Sequence, residues 1–305
     1  MNQPATTGRE PAEPTDAARP STAPTDPADA VATARSWLQD ADHLLIAAGA
    51  GLSAAAGYDY GDADRVRELF PSLHRLGLRS RYLVGVPLPP EMMWAYWAVH
   101  IDDIRFSRAP NPLYQRLRTL VGDTDHWVMT SNVDALFARN GFDPARIFAP
   151  QGDYGRYQCV RPCTRQTWPI RPVIDRLLAA LDPDHGTITD SAALPVCPNC
   201  GGEVFPHVRV GPEFVDDALM PAGHRLTRWL RTRPADARLV VLEIGAGFNT
   251  PGVIRFPAER VTHSRPHTRL IRINEGHPDV PDHLADRALA LAHPAQRVIA
   301  ALARP

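Results

Sequence analysis

Short, mostly apolar runs recur along the chain, and each run ends at a polar or glycine-rich turn. The runs cover residues 43–48, 127–130, 239–244 and 269–273. Strands that are buried on both faces of a parallel sheet show this continuous pattern, whereas half-exposed strands alternate apolar and polar positions. Segments with helical spacing separate the runs. The pattern therefore predicts an α/β fold in which helices cover both faces of a parallel sheet.

Two segments differ from this pattern. Residues 1–27 contain six prolines and no aromatic residue, so they lack the apolar surface that would offset their ordering entropy. We therefore expect a disordered tail over residues 1–28 and one ordered domain over residues 29–305. Residues 62–107 are predicted to form a helical insertion with a cluster of aromatic side chains. The sheet-forming part is then expected at about 29–61, 108–150 and 236–305.

Composition narrows the classes of function. The formal net charge is −1 and all 33 basic residues are arginine, so we expect no partnership with nucleic acid or with anionic membranes. The sequence shows no secretory signal and no apolar run long enough to cross a bilayer. These features predict a cytoplasmic protein, and in a reducing compartment cysteines are expected to bind metal rather than form disulfides.

Glycine turns follow the first and third apolar runs. Gly49-Ala50-Gly51 opens a predicted helix after residues 43–48, and Gly245-Ala246-Gly247 follows residues 239–244. Glycines let the backbone approach a pyrophosphate closely, and a helix N-terminus offers unpaired N–H groups. The first turn has Ala54 where the dinucleotide-binding pattern has its third glycine. Taken alone, this turn is nearly as consistent with a purely structural role.

A third polar turn, Asn274-Glu275, follows residues 269–273. Ligands of open α/β sheets bind at the carboxyl ends of the strands, so the three turns together predict one shared nucleotide crevice. The amide and carboxylate of the third turn suit ribose hydroxyls. Ordinary turn residues would give the same pattern, so this assignment depends on the other motifs.

The four cysteines form two close pairs, Cys159-x3-Cys163 and Cys197-x2-Cys200. Four thiolates match a closed tetrahedral zinc site, which leaves no position open for chemistry. A redox-active pair is the rival explanation, but it leaves the other pair unexplained. We therefore predict a structural Zn²⁺ site that fixes a small module over about residues 156–215.

Together these motifs resemble the sirtuins (the Sir2 family) over about residues 42–300. The resemblance rests on Gly49-Ala50-Gly51-x-Ser53-x-x-x-Gly57, Thr130-Ser131-Asn132-Val133-Asp134, the four cysteines, the turn at 245–250 and Asn274. It implies a Rossmann-type NAD-binding domain, a smaller zinc module and a reaction in the cleft between them.

At several positions the chain departs from the usual sirtuin sequence, and these departures resemble one branch of that family. The first loop continues as Tyr58-Asp59-Tyr60-Gly61-Asp62 where sirtuins have Ile-Pro-Asp-Phe-Arg, and Gln151 stands where a deacylating sirtuin has its catalytic histidine. These features look like the macrodomain-linked sirtuins of class M, which implies a protein mono-ADP-ribosyltransferase. The implied acceptor is a lipoylated carrier protein similar to the glycine-cleavage H protein (GcvH-like). The implied functional partner is a macrodomain ADP-ribosyl hydrolase that reverses the modification.

The glutamine has a chemical consequence. In sirtuin deacylation nicotinamide leaves first, and a base then activates a ribose hydroxyl. Histidine titrates near neutral pH, whereas the Gln151 amide only donates and accepts hydrogen bonds. Loss of a general base costs roughly 10²–10⁴-fold in rate. Activation of the ribose hydroxyl would therefore be disabled, whereas departure of nicotinamide would be spared. That departure leaves an oxocarbenium-like centre for a protein nucleophile to capture.

The resemblance also implies roles for individual residues. The predicted catalytic residues are Asn132, which orients the ribose or a water near it, Asp134, which binds the nicotinamide carboxamide, and Gln151, which contacts the nicotinamide ribose and positions the acceptor. Asp153 is a candidate proton acceptor for the incoming nucleophile, but we interpret it as a structural carboxylate in a tight turn. The predicted NAD-binding residues are Gly49, Ala50, Gly51, Ser53, Gly57, Ser131, Asn132, Asp134, Gln151, Gly245, Gly247, Asn249, Thr250, Asn274 and Glu275. The predicted zinc ligands are Cys159, Cys163, Cys197 and Cys200.

Three other functions stay open on the sequence. The chain is also consistent with an NAD-dependent protein lysine deacylase that tolerates Gln151. It is consistent with a non-catalytic sensor of NAD or ADP-ribose on the same scaffold. An NAD glycohydrolase would use the same intermediate with water as the nucleophile.

Overall fold

The described residues of the computed structural model are 27–83, 86–106 and 110–303, and most of the predicted tail, residues 1–26, lies outside them. Within the described residues there are eleven α-helices, eleven strands and three short 3₁₀ helices. The helices are α1 (Pro27–Gln39), α2 (Ala50–Ala55), α3 (Ala63–Leu69), α4 (Pro71–Arg75), α5 (Pro90–Arg105), α6 (Pro112–Val121), α7 (Leu136–Arg139), α8 (Arg171–Ala179), α9 (Met220–Thr232), α10 (Arg255–Ser264) and α11 (Ala295–Leu302). The strands are β1 (His43–Ala48), β2 (Asp125–Thr130), β3 (Ile147–Phe148), β4 (Gly152–Cys159), β5 (Trp168–Pro169), β6 (Leu181–Asp182), β7 (Thr187–Ile188), β8 (Val204–Val208), β9 (Leu239–Ile244), β10 (Thr268–Ile273) and β11 (Ala288–Leu291).

Six strands form one parallel sheet in the order β11-β10-β9-β1-β2-β3. β1 lies in its middle, where Leu45 pairs with Trp127 on β2 and with Val241 on β9. Every residue of β9 is buried, as expected for a strand that is covered on both faces. The structure confirms the parallel sheet that the apolar runs predict.

Helices cover both faces of this sheet. α1, α6 and α11 contribute Ala34, Leu117 and Ile299 to the core on one face. α9 and α10 contribute Leu226 and Ala258 to the core on the other face. The sheet is therefore enclosed by helices on both sides, which confirms the predicted layer order. None of the helices in the described part of the chain is long and apolar enough to cross a membrane.

A second, smaller core lies beside the sheet. The antiparallel sheet β5-β4-β8 packs with α5 and α8, and Trp97 of α5, Ile174 of α8 and Tyr157 of β4 are buried together. β4 follows directly from the loop after β3, so this unit is attached next to the carboxyl ends of the parallel strands.

Candidate active site

Two glycine turns lie back to back at the carboxyl ends of β1 and β9. The Gly51 amide donates to the Gly245 carbonyl oxygen at 3.0 Å, and the Gly49 amide donates to the Ile244 carbonyl oxygen at 2.9 Å. A Cβ on Gly49 would lie 2.5 Å from the Gly245 oxygen, and one on Gly245 would lie 2.5 Å from the Leu52 nitrogen. Gly245 also has a φ of +63°, which L side chains rarely adopt. These turns require glycine because their backbones are in contact.

Asn274 joins the third polar turn to the second. Its Nδ2 donates to the Ala246 carbonyl oxygen at 2.9 Å, and its Oδ1 accepts from the His277 amide at 2.9 Å. The Gly245 amide donates to the carbonyl oxygen of Ile273, the last residue of β10, at 2.9 Å. The ends of three neighbouring strands thus form one continuous wall.

The loop after β2 is bonded to the first glycine turn. The Thr130 hydroxyl donates to the Ala48 carbonyl oxygen at 2.9 Å, and Asn132 Nδ2 donates to the Gly49 carbonyl oxygen at 3.0 Å. The Asn132 amide donates to Thr130 Oγ1 at 3.1 Å. These bonds fix the direction of the Asn132 side chain against the glycine turn.

Asp134 is buried within the same loop and is 3% exposed. Its Oδ1 accepts from the Leu136 amide at 2.8 Å, and its Oδ2 accepts from the Ser53 hydroxyl at 2.5 Å. Burial raises the pKa of Asp134, and these two hydrogen bonds oppose that rise. Ala135 follows with a φ of +56°, a left-handed conformation that costs a non-glycine residue free energy and is common at functional sites.

Two adjoining cavities open on these elements, and we call them the central cavity and the glycine cavity. The central cavity has a volume of about 490 Å³ and the glycine cavity about 250 Å³. Residues that line both are Ala50, Gly51, Ser131, Asn249 and Thr250. The central cavity is also lined by Ser53, Ala54, Tyr58, Asp59, Tyr60, Tyr82, Asn132, Val133, Asp134, Gln151, Tyr154, Val208 and Arg209. The glycine cavity is also lined by Gly49, Gly245, Ala246, Gly247, Ile254, Asn274 and His277.

The structure brings together all but two of the predicted NAD-binding residues. Gly57 and Glu275 line neither cavity. Gly57 has a φ of +95°, which explains the glycine as a turn residue, and Glu275 is exposed. A contact of these two residues with NAD stays a prediction, as do the individual roles of the others.

Gln151 and Arg209 lie on the side of the central cavity that the antiparallel sheet forms. The Gln151 carbonyl oxygen accepts from the Arg209 amide at 2.9 Å. Gly152 follows with a φ of +114°, and a Cβ there would lie 2.1 Å from the His207 carbonyl oxygen. The guanidinium of Arg209 lies 4.4 Å from the Phe214 ring centre. Close contact between β4 and β8 therefore fixes the backbone of Gln151.

Asp153 has a different environment. Its Oδ1 accepts from Arg105 Nε at 2.7 Å and from the Gly155 amide at 2.7 Å. The side chain does not line the central cavity. These partners support the interpretation of Asp153 as a structural carboxylate.

Four tyrosines line the central cavity although no motif predicts them: Tyr58, Tyr60, Tyr82 and Tyr154. Burial raises the pKa of Tyr154 to about 12 and the pKa of Tyr60 well above its usual value. The rings of Tyr60 and Tyr82 lie 5.3 Å apart. Two of them, Tyr58 and Tyr60, could be suspected from the sequence, because they lie in the loop that departs from the usual Ile-Pro-Asp-Phe-Arg.

The four cysteines meet at the end of the antiparallel sheet. Their Sγ atoms all lie within 4.8 Å of one another. The Sγ atoms of Cys159 and Cys200 are 3.8 Å apart, and those of Cys163 and Cys197 are 3.5 Å apart. Thiolates about 2.3 Å from a tetrahedral Zn²⁺ would be about 3.8 Å apart. The cluster fits zinc, as the sequence predicts, and a bound Zn²⁺ would cross-link the module.

Comparisons with known proteins identify related sequences, among them two that are named as ADP-ribosyltransferases. The chain is 34% identical over 258 residues to a probable bifunctional ADP-ribose hydrolase/ADP-ribosyltransferase of Fusarium oxysporum f. sp. cubense, and the match covers 82% of this chain and 43% of that protein. It is 26% identical over 264 residues to a protein ADP-ribosyltransferase of Staphylococcus aureus, over 84% of this chain and 82% of that protein. The chain therefore spans less than half the length of the first relative. No family model matches the chain.

Among solved structures, a Sir2 homologue in complex with NAD has a TM-score of 0.57 to this chain at 19% identity. The superposition covers 92% of this chain and 94% of that one. At this level of identity the likeness concerns the fold alone.

Proposed function

We propose that this chain, which has the fold of the sirtuin family, is an NAD-dependent protein mono-ADP-ribosyltransferase. The observation that carries the proposal is that Gln151 lines the central cavity while no histidine is among the described residues around it. The two relatives named as ADP-ribosyltransferases match 82% and 84% of the chain and support the same activity.

In this proposal NAD occupies the two adjoining cavities. The glycine cavity takes the diphosphate and the adenosine half, because glycines at 49, 51 and 245 leave backbone rather than side chains at its wall. The central cavity takes the nicotinamide and its ribose. Asn132 orients that ribose, and the buried carboxylate of Asp134 accepts from the nicotinamide carboxamide.

The proposed reaction breaks one bond and forms one. The bond between the anomeric carbon and the nicotinamide nitrogen breaks, and its electron pair leaves with the nicotinamide. A nucleophilic group of the acceptor protein then bonds to the anomeric carbon and releases its proton to solvent. The products are nicotinamide, the ADP-ribosylated protein and one proton.

The other ionisable groups of the central cavity do not replace the missing histidine. Burial keeps the phenols of Tyr60 and Tyr154 neutral, since it raises the pKa of Tyr154 to about 12 and the pKa of Tyr60 well above its usual value. Asp134 is engaged by Ser53 and by the Leu136 amide, and Asp59 is exposed and accepts from the Gly61 amide at 2.8 Å. A deacylase needs a base near neutral pH at this stage of its reaction, so the cavity favours transfer.

The acceptor in this proposal is a lipoylated GcvH-like carrier protein, and the reaction is expected in the cytoplasm. The support for the carrier is the resemblance of the residues around Gln151 to the class M sirtuins. A macrodomain ADP-ribosyl hydrolase would remove the modification. The Fusarium relative, whose name joins hydrolase and transferase activities in one protein, supports such a coupling.

Labelled NAD distinguishes the candidate functions. Label on the carrier supports transfer, whereas O-acyl-ADP-ribose formed from an acylated peptide supports deacylation. Released nicotinamide without labelled protein indicates a glycohydrolase, and NAD binding without release indicates a sensor.

Two variants test the site assignment in the same assay. Gln151→Ala and Asn132→Ala are expected to lower transfer, while Arg116→Ala, on the exposed face of α6, should not. If both site variants transfer like the unaltered chain, the assignment is wrong.

A further inference from the structure

Four charged side chains are buried together next to the turn that follows β9. They are Glu243, Arg255, Glu259 and Arg272, and none of these side chains is more than 16% exposed. Two carboxylates and two guanidinium groups balance in charge. Burial of such groups costs free energy, and apolar side chains of similar volume often stabilise a fold as well or better. Stability alone therefore does not explain this buried cluster.

The two arginines of the cluster have different partners. Arg272 donates to Glu243 from Nε at 2.7 Å and from Nη2 at 2.8 Å, and the same Nη2 lies 2.7 Å from Glu259. The nearest nitrogens of Arg255 lie 4.0 Å from Glu243 and 3.7 Å from Glu259, which is too far for a hydrogen bond. Arg272 thus makes the hydrogen bonds to both carboxylates, and Arg255 bonds to other groups.

Those groups are backbone carbonyls of two turns at the glycine cavity. Nη1 of Arg255 donates to the His277 carbonyl oxygen at 2.9 Å and to the Ala246 carbonyl oxygen at 3.3 Å. Its Nη2 donates to the Asp279 carbonyl oxygen at 2.7 Å. Ala246 follows β9 and His277 follows β10, and both line the cavity. One buried guanidinium therefore ties two walls of the glycine cavity together.

The position of Arg255 on its helix is unfavourable for a cation. It is the first residue of α10, and the positive end of the helix dipole lies at the N-terminus. Its side chain is 3% exposed, so water screens this repulsion little. The ring of Phe248 lies over the guanidinium, with 4.5 Å from the guanidinium carbon to the ring centre. The bonds to the two turns account for an arginine at this place.

The same bonds set the direction of one peptide unit in the cavity wall. The Ala246 carbonyl oxygen accepts from Asn274 Nδ2 at 2.9 Å as well as from Arg255. In a trans peptide the N–H points opposite to the C=O, so the Gly247 N–H points away from both donors. Among the described residues no group accepts a hydrogen bond from this amide, and Gly247 lines the cavity. An unpaired backbone N–H in a cavity wall suits an anionic phosphate oxygen.

We infer that Arg255 is a positioning residue for the adenosine diphosphate half of NAD. It does not line the glycine cavity itself and acts through the backbone of the two turns. By holding the Ala246 carbonyl and the segment after β10, it keeps the Gly247 amide available to the diphosphate and fixes the width of the cavity. This inference rests on the proposed binding of NAD in the two cavities.

Arg255→Lys tests the role while keeping the buried charge. Lysine retains a cation beside the carboxylates, but its single nitrogen cannot reach the three carbonyl oxygens that the planar guanidinium spans. The matched control is Glu259→Gln, which disturbs the same buried cluster at a residue that bonds to Arg272 rather than to either turn. A double variant, Arg255→Gln with Glu259→Gln, removes one charge of each sign. The probe is ADP-ribose, with binding measured by isothermal titration calorimetry and stability by thermal unfolding.

We expect Arg255→Lys to weaken ADP-ribose binding by about tenfold, because hydrogen bonds from a charged group to the cavity wall are lost. In assays of nicotinamide release the KM for NAD should rise by about tenfold while kcat stays within about twofold, since the central cavity is unaltered. Glu259→Gln should bind ADP-ribose like the unaltered chain although it melts at a lower temperature. The double variant should bind ADP-ribose at least as weakly as Arg255→Lys.

Unchanged ADP-ribose affinity in Arg255→Lys overturns the inference. An equal loss of affinity in Glu259→Gln at an equal melting temperature overturns it as well, because the effect then belongs to the stability of the cluster. If Arg255→Lys does not fold, the double variant decides the question. ADP-ribose affinity in the double variant equal to that of Glu259→Gln contradicts the positioning role.

The two proposals fail separately in this design. ADP-ribose binding that depends on Arg255, without any labelled acceptor protein, supports the positioning role and contradicts the transfer reaction. Transfer of label at limiting NAD that Arg255→Lys leaves unchanged supports the transfer reaction and contradicts the positioning role. An unaltered chain that binds neither NAD nor ADP-ribose contradicts both.

Discussion

The hydroxyl of Ser53 donates a 2.5 Å hydrogen bond to Oδ2 of Asp134 and thereby joins α2 to the loop after β2. Both side chains are buried, with 6% of Ser53 and 3% of Asp134 exposed. The carboxylate is held in a place where burial raises its pKa. A shifted carboxyl group that lines a cavity is typical of a functional residue.

Asp134→Asn is expected to stop nicotinamide release and to stabilise the fold increasingly as pH rises. The folded-state pKa of Asp134 lies above its usual value of 3.8. Its contribution to stability is therefore fully present below that value and is lost as pH rises through the raised pKa. Asparagine does not titrate, so the gap in melting temperature between the variant and the unaltered chain should widen with pH. A gap that stays constant from about pH 4 to about pH 8 contradicts the raised pKa.

Gln151→His is expected to introduce deacylation. The variant gains a group that titrates near pH 6.5. This group stands where deacylation needs a base to activate the ribose hydroxyl. Formation of O-acyl-ADP-ribose from an acylated peptide should rise by roughly 10²–10⁴-fold over the unaltered chain. The rate should increase as pH rises through the histidine pKa, because the neutral imidazole is the base. Gln151→Asn serves as the control, and no gain in either variant would show that more than this residue prevents deacylation.

Gly245→Ala is expected to lower both stability and NAD affinity. The new Cβ would meet the Leu52 nitrogen at 2.5 Å, and the φ of +63° is unfavourable for alanine. The strained backbone alone costs about 1–3 kcal/mol, and the contact between the two glycine turns must open as well. Gly276→Ala is the matched control, since nothing lies within 4 Å of its Cβ position. Denaturant unfolding and NAD titration of both variants measure the effect.

The sequence predicts the centre of the fold better than its edges. Continuous burial marks β1 and β9, and the glycine turns after them have a steric cause that is visible in the residues themselves. β11 is an edge strand of four residues, Ala288–Leu291, in which burial alternates. Its sequence, Ala-Leu-Ala-Leu, is short and suits a helix as well as a strand, so the apolar pattern does not mark it. α9 begins with Pro221 and Gly223 close together, and these residues hide its helical pattern.

At the candidate site, too, the sequence predicts some residues and misses others. Ser53, Asn132 and Asp134 belong to local motifs, and the structure places all of them around the central cavity. Tyr82 and Tyr154 reach that cavity from distant segments, and only tertiary packing brings them there.

Removal of zinc is expected to melt the small module first. Cys163→Ser and Cys200→Ser each remove one of four thiolates whose Sγ atoms lie within 4.8 Å of one another. Because a four-thiolate site links segments that are otherwise held by a short antiparallel sheet, a variant should lose bound zinc and several kcal/mol of stability, on the order expected for structural zinc. Metal analysis and thermal unfolding with and without a chelator measure this. Ser191→Ala, which leaves the thiolates intact, is the control, and equal melting temperatures in all variants contradict a structural metal.

His100 is expected to make the fold sensitive to acid. Its ring is fully buried on α5, where it stacks on the ring of Tyr96 with 5.3 Å between the ring centres and meets the ring of Tyr60 edge-on at 5.0 Å. Within the described residues neither ring nitrogen has a hydrogen-bond partner, and burial, with a smaller contribution from the charge of Arg81, lowers the pKa of His100 to about 3. The unfolded chain binds a proton at about pH 6.5, which the folded chain does not.

Stability is therefore lost as pH falls below about 6.5 and down to the folded-state pKa, by about 1.4 kcal/mol per pH unit, or about 2 kcal/mol at pH 5. His100→Phe keeps an aromatic ring of similar shape and removes the titration. The free energy of unfolding of the variant should exceed that of the unaltered chain by an amount that grows between about pH 6.5 and about pH 5, whereas the difference above about pH 7 should be constant. Urea unfolding across this range measures it. Parallel pH profiles would show that the buried imidazole does not set the acid limit of the fold.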